Sequence, residues 1–179
     1  MPRIHYNAPG VLTFSLLAMV FCLIDADKWC AAPGRGGFSF SHPMDYFRLF
    51  THVLGHDGWP HLLGNLTFIL LLGPILEDRY GTGNMVLMIL ATALVTGMAN
   101  ILFSPSGLIG ASGVVFMLII LSSIVDIRKG SIPLTFVLIA FIFIGKELRD
   151  ALSKDDNVSQ LAHIVGGLVG AFFGFRIKK

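Results

Sequence analysis

Six apolar segments, separated by charged or turn-forming stretches, constrain this chain more than any other feature. They fall at about residues 9–24, 60–76, 84–103, 108–125, 131–145 and 158–175. A helix that crosses a bilayer needs roughly 20 residues, with about 17 as the lower limit, so the first and fifth segments must borrow flanking residues. The pattern predicts an all-α membrane protein, a compact bundle of six transmembrane helices forming a single domain over residues 1–179.

Composition excludes several other classes of protein. Hydrophobic residues make up 54% of the chain and charged residues 13%, which does not suit a water-soluble globular protein. The net charge of +2, with no basic run among aromatics, argues against nucleic-acid binding. Cys22 and Cys30 lack metal-type spacing, and the segment after Arg3 lacks a signal-peptide cleavage site. We therefore expect a retained first span, the lipid bilayer as a partner, and no nucleic acid, metal or cofactor.

Two connections between the segments carry structural information. Ser104-Pro105-Ser106-Gly107 is predicted to interrupt helical structure between the third and fourth segments. A helix that begins only near Ser112 would start inside the membrane, which requires protein or water around its unpaired backbone groups. The first connection, from Asp25 to Trp59, is long and rich in aromatic residues that favour the membrane interface. It is predicted to be membrane-associated through Phe38, Phe40, Tyr46, Phe47, Phe50 and Trp59.

The distribution of basic residues gives a weak preference for orientation. With both termini in the cytoplasm, that side carries Arg3, Arg79, Arg128, Lys129, Arg176, Lys178 and Lys179. The opposite side carries Lys28, Arg35, Arg48, Lys146, Arg149 and Lys154. Three of these six lie in the long first connection, where charge has less influence on insertion. The sequence therefore favours cytoplasmic termini.

Three polar residues stand at the beginnings of alternate segments. His61 opens the second segment, Ser112 of Gly110-Ala111-Ser112-Gly113 opens the fourth, and His163 opens the sixth. In a chain of six spans these three segments run in the same direction, so their starts lie at one membrane face. With cytoplasmic termini, that face is extracytoplasmic.

The chemistry of these residue types suits acyl transfer. A serine hydroxyl needs a base within hydrogen-bond reach, and His163 can supply one near neutral pH. His61 and Asn65 are four residues apart on one helical face and could donate to an oxyanion together with the Ser112 backbone N–H. Small residues behind His163 recur every four positions and allow close helix packing: Gly166, Gly170 and Gly174. Since no acidic partner for His163 is evident, the residues favour a Ser-His dyad without a metal.

Each of these residues alone has an ordinary explanation. Ser112 could be a small packing residue, His163 a hydrogen-bonding group between helices, and Asn65 a polar contact that joins two helices. A metal-handling protein is a further alternative and would use three histidines, His52, His56 and His61, completed at most by Asp57. Taken together, the set favours catalysis.

The chain resembles the rhomboid family of intramembrane serine proteases, from about residue 45 to residue 175. The matching elements are His56-x4-His61-x3-Asn65, Glu77-x-Arg79-x-Gly81-x-Gly83, Gly110-Ala111-Ser112-Gly113 and Ala162-His163-x2-Gly166-x3-Gly170. Two positions depart from the family pattern. Phe47-Arg48 stands where the family has Trp-Arg, and Phe116 stands where a Tyr often lies under the base.

The resemblance implies a compact six-helix fold and hydrolysis of peptide bonds in or near the transmembrane segments of substrate proteins. It implies Ser112 as nucleophile, His163 as general base, and His61 and Asn65 as oxyanion donors. Structural support is expected from Gly110, Gly113, Phe116, Gly166, Gly170, Glu77 and Arg79. The expected location is the bacterial cytoplasmic membrane, with the active site open to the extracytoplasmic side. A rhomboid-like protein that binds or chaperones transmembrane helices without catalysis is the alternative.

Overall fold

The computed structural model describes residues 5–127, 134, 137–138, 141–142 and 157–177, and most of these residues are helical. The helices are α1 (Pro9–Leu23), α2 (Asp27–Cys30), α3 (Pro43–Thr51), α4 (Gly58–Tyr80), α5 (Thr82–Phe103), α6 (Ser112–Ile127) and α7 (Asn157–Arg176). Within these ranges the β-type pairing is an isolated antiparallel bridge between Ala32 and Leu108. The all-α prediction is confirmed.

Five of the predicted segments correspond to α1, α4, α5, α6 and α7. Two of the helices in the described ranges, α4 and α5, are long and apolar enough to cross a membrane, whereas α1 and Ser112–Ile124 are shorter apolar helices. Most of the predicted fifth span, 131–145, lies outside the described residues. The count of six spans therefore stays a prediction.

Helix α6 lies at the centre of the core. Its side chains Val114, Val115, Met117, Leu118 and Leu121 are each at most 1% exposed. They belong to one apolar cluster with buried side chains of α1, α4 and α5, including Val11, Ile69 and Met88. A helix that is apolar on nearly every side is stable only when other helices surround it, which is the position of α6 here.

The outer faces of α4, α5 and α7 are also apolar. Large side chains on these faces are between 44% and 68% exposed: Leu63, Leu70, Leu71, Ile75, Leu87, Leu90, Met98, Leu102, Phe103, Ile164, Leu168, Phe172 and Phe175. Contiguous apolar surface of this extent is rare on a water-soluble monomer. Lipid hydrocarbon is the environment that suits it.

Glycines bring the backbones of α6 and α7 into direct contact. A Cβ added to Gly166 would collide with the carbonyl oxygen of Gly113, and one added to Gly170 would lie 2.5 Å from the carbonyl oxygen of Met117. One turn further on, a Cβ on Gly174 would lie 3.0 Å from Cδ1 of Ile124. The three glycines thus let α7 pack directly against α6 from Gly113 to Ile124.

Glu77, near the C-terminal end of α4, joins α4 to α1 and α5. The N–H groups of Gly10 and Val11 donate to its two carboxylate oxygens at 2.8 Å each, and the Thr82 hydroxyl donates to Oε1 at 2.7 Å. A carboxylate at the start of α1 satisfies N–H groups that have no partner within the helix and favours the helix dipole. Arg79 is half-buried, with its guanidinium carbon 6.0 Å from the centroid of the Tyr80 ring.

The first connection contains two short helices, α2 and α3, that the sequence analysis did not predict. Leu49 of α3 packs on α5 at Gly97, where an added Cβ would lie 3.1 Å from the Leu49 carbonyl oxygen. Arg48 donates to the Trp29 carbonyl oxygen at 3.2 Å and to the Asp45 carboxylate at 3.0 Å. The aromatic side chains of this connection point outward, including those of Trp29, Phe40, Tyr46, Phe47 and Phe50.

The glycine row predicts a difference between two neighbouring substitutions in α7. Gly170→Ala should lower the free energy of unfolding by about 1–3 kcal/mol, because the methyl group must push the Met117 backbone away. Gly167→Ala places its methyl group 3.4 Å from Cγ1 of Ile120, an ordinary contact. That control should be neutral or stabilising by up to about 1 kcal/mol through the higher helix propensity of alanine. Thermal unfolding of both variants in detergent tests this, and equal stabilities would contradict the packing.

Candidate active site

The segment that leads into α6 is held by the first connection. Ala32 and Leu108 exchange two backbone hydrogen bonds of 2.9 Å each. The buried Asn100 of α5 donates from Nδ2 to the carbonyl oxygens of Pro33, at 3.1 Å, and Ser106, at 2.9 Å. These contacts hold residues 104–108 outside a helix, so α6 begins at Ser112 although the apolar segment begins near residue 108.

Gly110 and Ala111 are bound by the part of the first connection that immediately precedes α4. The Gly110 N–H donates to the His52 carbonyl oxygen at 2.9 Å, and the Ala111 N–H donates to Nε2 of His56 at 3.3 Å. Gly110 has a φ of +116°, a conformation that side chains disfavour. A Cβ at this position would also lie 2.7 Å from Cε1 of His61. Glycine is therefore required here, and His61 lies directly against the loop.

Ser112 is the first residue of α6. The Val115 N–H donates to the Ala111 carbonyl oxygen at 3.0 Å, which closes the first turn. The N–H groups of a first helical turn have no acceptor within the helix, and the helix dipole makes this end favourable for negative charge. Along α6, Ser112, Phe116 and Ile120 are half-buried, whereas the residues between them are buried. The serine hydroxyl thus belongs to the partly accessible face of an otherwise enclosed helix.

His163 stacks on the residue one turn after Ser112. Its ring centroid is 4.4 Å from that of Phe116, with 6° between the ring planes, and the residue is 6% exposed. The neighbouring Ala162 carbonyl oxygen lies 3.2 Å from the point where a Cβ on Gly113 would be. Since Phe116 follows Ser112 by four residues, the imidazole lies beside the helical face that carries the serine. Phe at this position provides the stacking without a hydroxyl group.

Asn65 lies on the same side of the loop as His61. The residue is 8% exposed, and within the described ranges its amide nitrogen has no hydrogen-bond partner. That nitrogen lies 3.8 Å from the point where a Cβ on Gly110 would be. Buried amide groups in proteins are nearly always hydrogen-bonded, so a buried donor without an acceptor calls for an explanation. The starts of α4, α6 and α7 thus bring Ser112, His163, His61 and Asn65 to one end of the bundle.

The alternative of a three-histidine metal site does not match the geometry. Burial lowers the pKa of His52 to about 4, and its Nε2 lies 3.0 Å from the Ala93 carbonyl oxygen. Burial, with a smaller contribution from His61, lowers the pKa of His56 to about 4. Both His56 ring nitrogens contact backbone groups, Nδ1 the Leu54 carbonyl oxygen and Nε2 the Ala111 N–H. No group of three metal-binding side chains is assembled within the residues that the structure describes.

Sequence reasoning assigned no role to His52 or His56 beyond the metal alternative. The only signal for His56 was its place in His56-x4-His61-x3-Asn65, and spacing alone does not reveal its contact with residue 111. Asn100 was missed as well, although a polar residue inside an apolar helix is itself an indication of a buried hydrogen bond.

Comparison with known proteins places these residues in a family. The model of the rhomboid domain matches residues 43–179. The chain is 30% identical to rhomboid protease GluP of Bacillus subtilis over 132 residues, covering 72% of this chain and 25% of the relative. It is 28% identical to rhomboid protease GlpG of Pectobacterium atrosepticum, covering 93% and 62%. It is 30% identical to rhomboid-related protein 1 of Caenorhabditis elegans, covering 80% and 43%.

This chain spans at most 62% of the length of these three relatives. The family match, by contrast, covers more than half of the chain and contains α3 to α7, and with them Ser112, His163, His61 and Asn65. The chain belongs to the rhomboid family.

Proposed function

We propose that this protein is an intramembrane serine endopeptidase that cleaves peptide bonds in or near the transmembrane segments of other membrane proteins. The observation that carries the proposal is the stacking of His163 on Phe116, one turn after Ser112, at 4.4 Å between ring centroids. A serine at a helix start with an imidazole beside the same helical face suits acyl transfer, in which the imidazole accepts the hydroxyl proton. Rhomboid membership and the protease names of two relatives support the same reaction.

The reaction would proceed in two steps. The Ser112 hydroxyl attacks the scissile carbonyl carbon while His163 accepts its proton, which forms a tetrahedral intermediate. His163 then returns the proton to the leaving amine as the C–N bond breaks. Water, deprotonated by His163, hydrolyses the acyl-enzyme and releases Ser112 for the next cycle. No metal and no cofactor takes part in these steps.

The oxyanion of the intermediate would accept hydrogen bonds from three groups. The Ser112 N–H is at the start of α6, where the helix dipole also favours negative charge. The His61 ring lies against Gly110, and the Asn65 amide nitrogen is a buried donor near the same residue. A substrate oxyanion would give that amide the acceptor that the described residues do not provide.

The protein is an integral membrane protein, as its family and its apolar helices indicate. We propose that it spans the bacterial cytoplasmic membrane six times, with cytoplasmic termini and an active site that opens to the extracytoplasmic side. Arg79 and Arg176 at the ends of α4 and α7 support this orientation, because positive residues favour the cytoplasmic side. The exposed aromatic side chains of the first connection would then lie in the outer interface.

Replacement of either dyad residue should abolish proteolysis. Ser112→Ala removes the nucleophile and His163→Ala removes the base, so cleavage of a model transmembrane substrate should fall to background while the protein stays folded. Ser122→Ala is a matched control in the same helix, since its hydroxyl donates to the Ile119 carbonyl oxygen at 2.8 Å and has no role in the proposed reaction. Wild-type activity in Ser112→Ala would refute the protease proposal. A folded wild type without activity would favour a non-catalytic binder of transmembrane helices.

Asn65→Ala tests whether Asn65 acts as an oxyanion donor or only packs between helices. Loss of one donor among several should lower kcat by no more than about 10²–10³, with KM much less affected. If Asn65 only joined helices, the variant would show a lower melting temperature and near-normal kcat. Asn84→Ala is the control, because the Asn84 amide donates to the Tyr80 carbonyl oxygen at the other end of the bundle, 2.8 Å away. Parallel measurements of kcat, KM and melting temperature decide between the two roles.

A further inference from the structure

His56 contacts the loop before Ser112 and the His61 ring, which are two parts of the proposed oxyanion site, but it is not itself one of the proposed donors. Its Nε2 lies 3.3 Å from the Ala111 nitrogen, and its ring lies edge-to-face on the His61 ring, with centroids 5.0 Å apart and 71° between the planes. The residue is fully buried. One neutral imidazole therefore contacts the loop before Ser112 on one side and a proposed donor on the other.

The hydrogen bonds of His56 define which ring nitrogen carries the proton. Nδ1 lies 3.2 Å from the Leu54 carbonyl oxygen, which can only accept, so Nδ1 must be the protonated nitrogen. Burial lowers the pKa of the ring to about 4, so it is neutral near pH 7. Nε2 is consequently a bare acceptor that faces the Ala111 N–H.

Three successive peptide groups before α6 are fixed by partners of different kinds. The Gly110 N–H binds the His52 carbonyl oxygen, and the Ala111 carbonyl oxygen accepts the Val115 N–H. The peptide group that joins Gly110 to Ala111 carries the Ala111 N–H, which donates to the His56 side chain. In a trans peptide the C=O and N–H point in opposite directions, so fixing these three groups also fixes the direction of the Ser112 N–H.

The segment that carries His56 also packs closely on the loop. A Cβ added to Gly55 would lie 2.8 Å from Cδ1 of Ile109, so a larger residue would push the Ile109 side chain away. Gly55, the His52 carbonyl oxygen and the His56 ring thus contact Ile109, Gly110 and Ala111, respectively. His56 is the member of this set that makes its contact through a side-chain nitrogen, so substitution of His56 tests that contact.

We propose that His56 is a positioning residue that accepts the Ala111 N–H and supports the His61 ring, and so orients the donors that would bind the oxyanion. The role rests on the protease function proposed above. His56 touches no reacting atom, so its loss should lower kcat while leaving substrate binding largely intact. The loss should be smaller than the roughly 10²–10³ expected for removal of a direct donor.

Two substitutions distinguish the contribution of the Nε2 acceptor of His56 from that of its aromatic ring. His56→Gln keeps an oxygen acceptor near the Nε2 position, and His56→Phe keeps an aromatic ring without an acceptor. We expect His56→Phe to lower kcat by about tenfold or more with KM little changed, whereas His56→Gln should recover most of the loss. His5→Phe makes the same change at an exposed position and should leave kcat unchanged.

Two measurements test the contact without relying on activity. Nitrogen-15 NMR of labelled histidine should show a protonated Nδ1 and a bare Nε2 for His56. Hydrogen exchange at the Ala111 amide should be slower in the wild type and His56→Gln than in His56→Phe. A wild type that cleaves no substrate would refute the proposed function, while these two measurements would still report on the His56 contact.

The proposal is overturned if folded His56→Phe has wild-type kcat, or if His56→Gln is as impaired as His56→Phe. Unchanged Ala111 exchange in His56→Phe would also overturn it. Should His56→Phe fail to fold, His56→Asn takes its place, because the shorter side chain cannot reach the Ala111 nitrogen. Equal kcat in the Asn and Gln variants would then refute the role.

Discussion

The backbones of α6 and α7 touch along a row of glycines, and this contact determines where every other group of the site can lie. A side chain larger than hydrogen at Gly166 or Gly170 would meet the backbone of α6. Because the two helices approach so closely, the His163 ring lies flat on Phe116. In lipid, where apolar side chains gain little by leaving the solvent, such backbone contact is a principal source of helix association.

A second constraint acts at the beginning of α6. Three N–H groups before the helix, those of Leu108, Gly110 and Ala111, bind groups of the first connection. These bonds satisfy backbone groups that would be costly to leave unpaired within a bilayer. In the proposed six-span arrangement they would also let the helix begin below the membrane surface, with its first N–H groups facing a substrate. The same bonds therefore contribute to stability and prepare the proposed oxyanion site.

The features that the sequence predicts well are those that repeat along one element. Four-residue spacing of Gly166, Gly170 and Gly174 defines one face of a helix, and that face contacts α6. Helix α6 begins at Ser112 although its apolar segment begins near residue 108, because Leu108 pairs with Ala32, 76 positions away in the sequence. Helix α3 is not predicted from the sequence because it has only nine residues, and its stability depends on the distant contact of Leu49 with Gly97. The role of His56 depends on a contact across 55 positions that no local pattern encodes.

The most direct test of the account is covalent capture of the dyad by a peptide chloromethyl ketone. Ser112 should add to the ketone carbon and His163 should displace the chloride, so that one inhibitor molecule links α6 to α7. The hemiketal with Ser112 reverses when the protein is denatured, so mass spectrometry of the digested protein should find one alkylated peptide, the one that contains His163. Alkylation should be absent from His163→Ala and strongly slowed in Ser112→Ala, because addition of Ser112 to the ketone places the chloride against the imidazole. Modification of another histidine, or unchanged alkylation in Ser112→Ala, would contradict the proposal that these two residues form the catalytic pair.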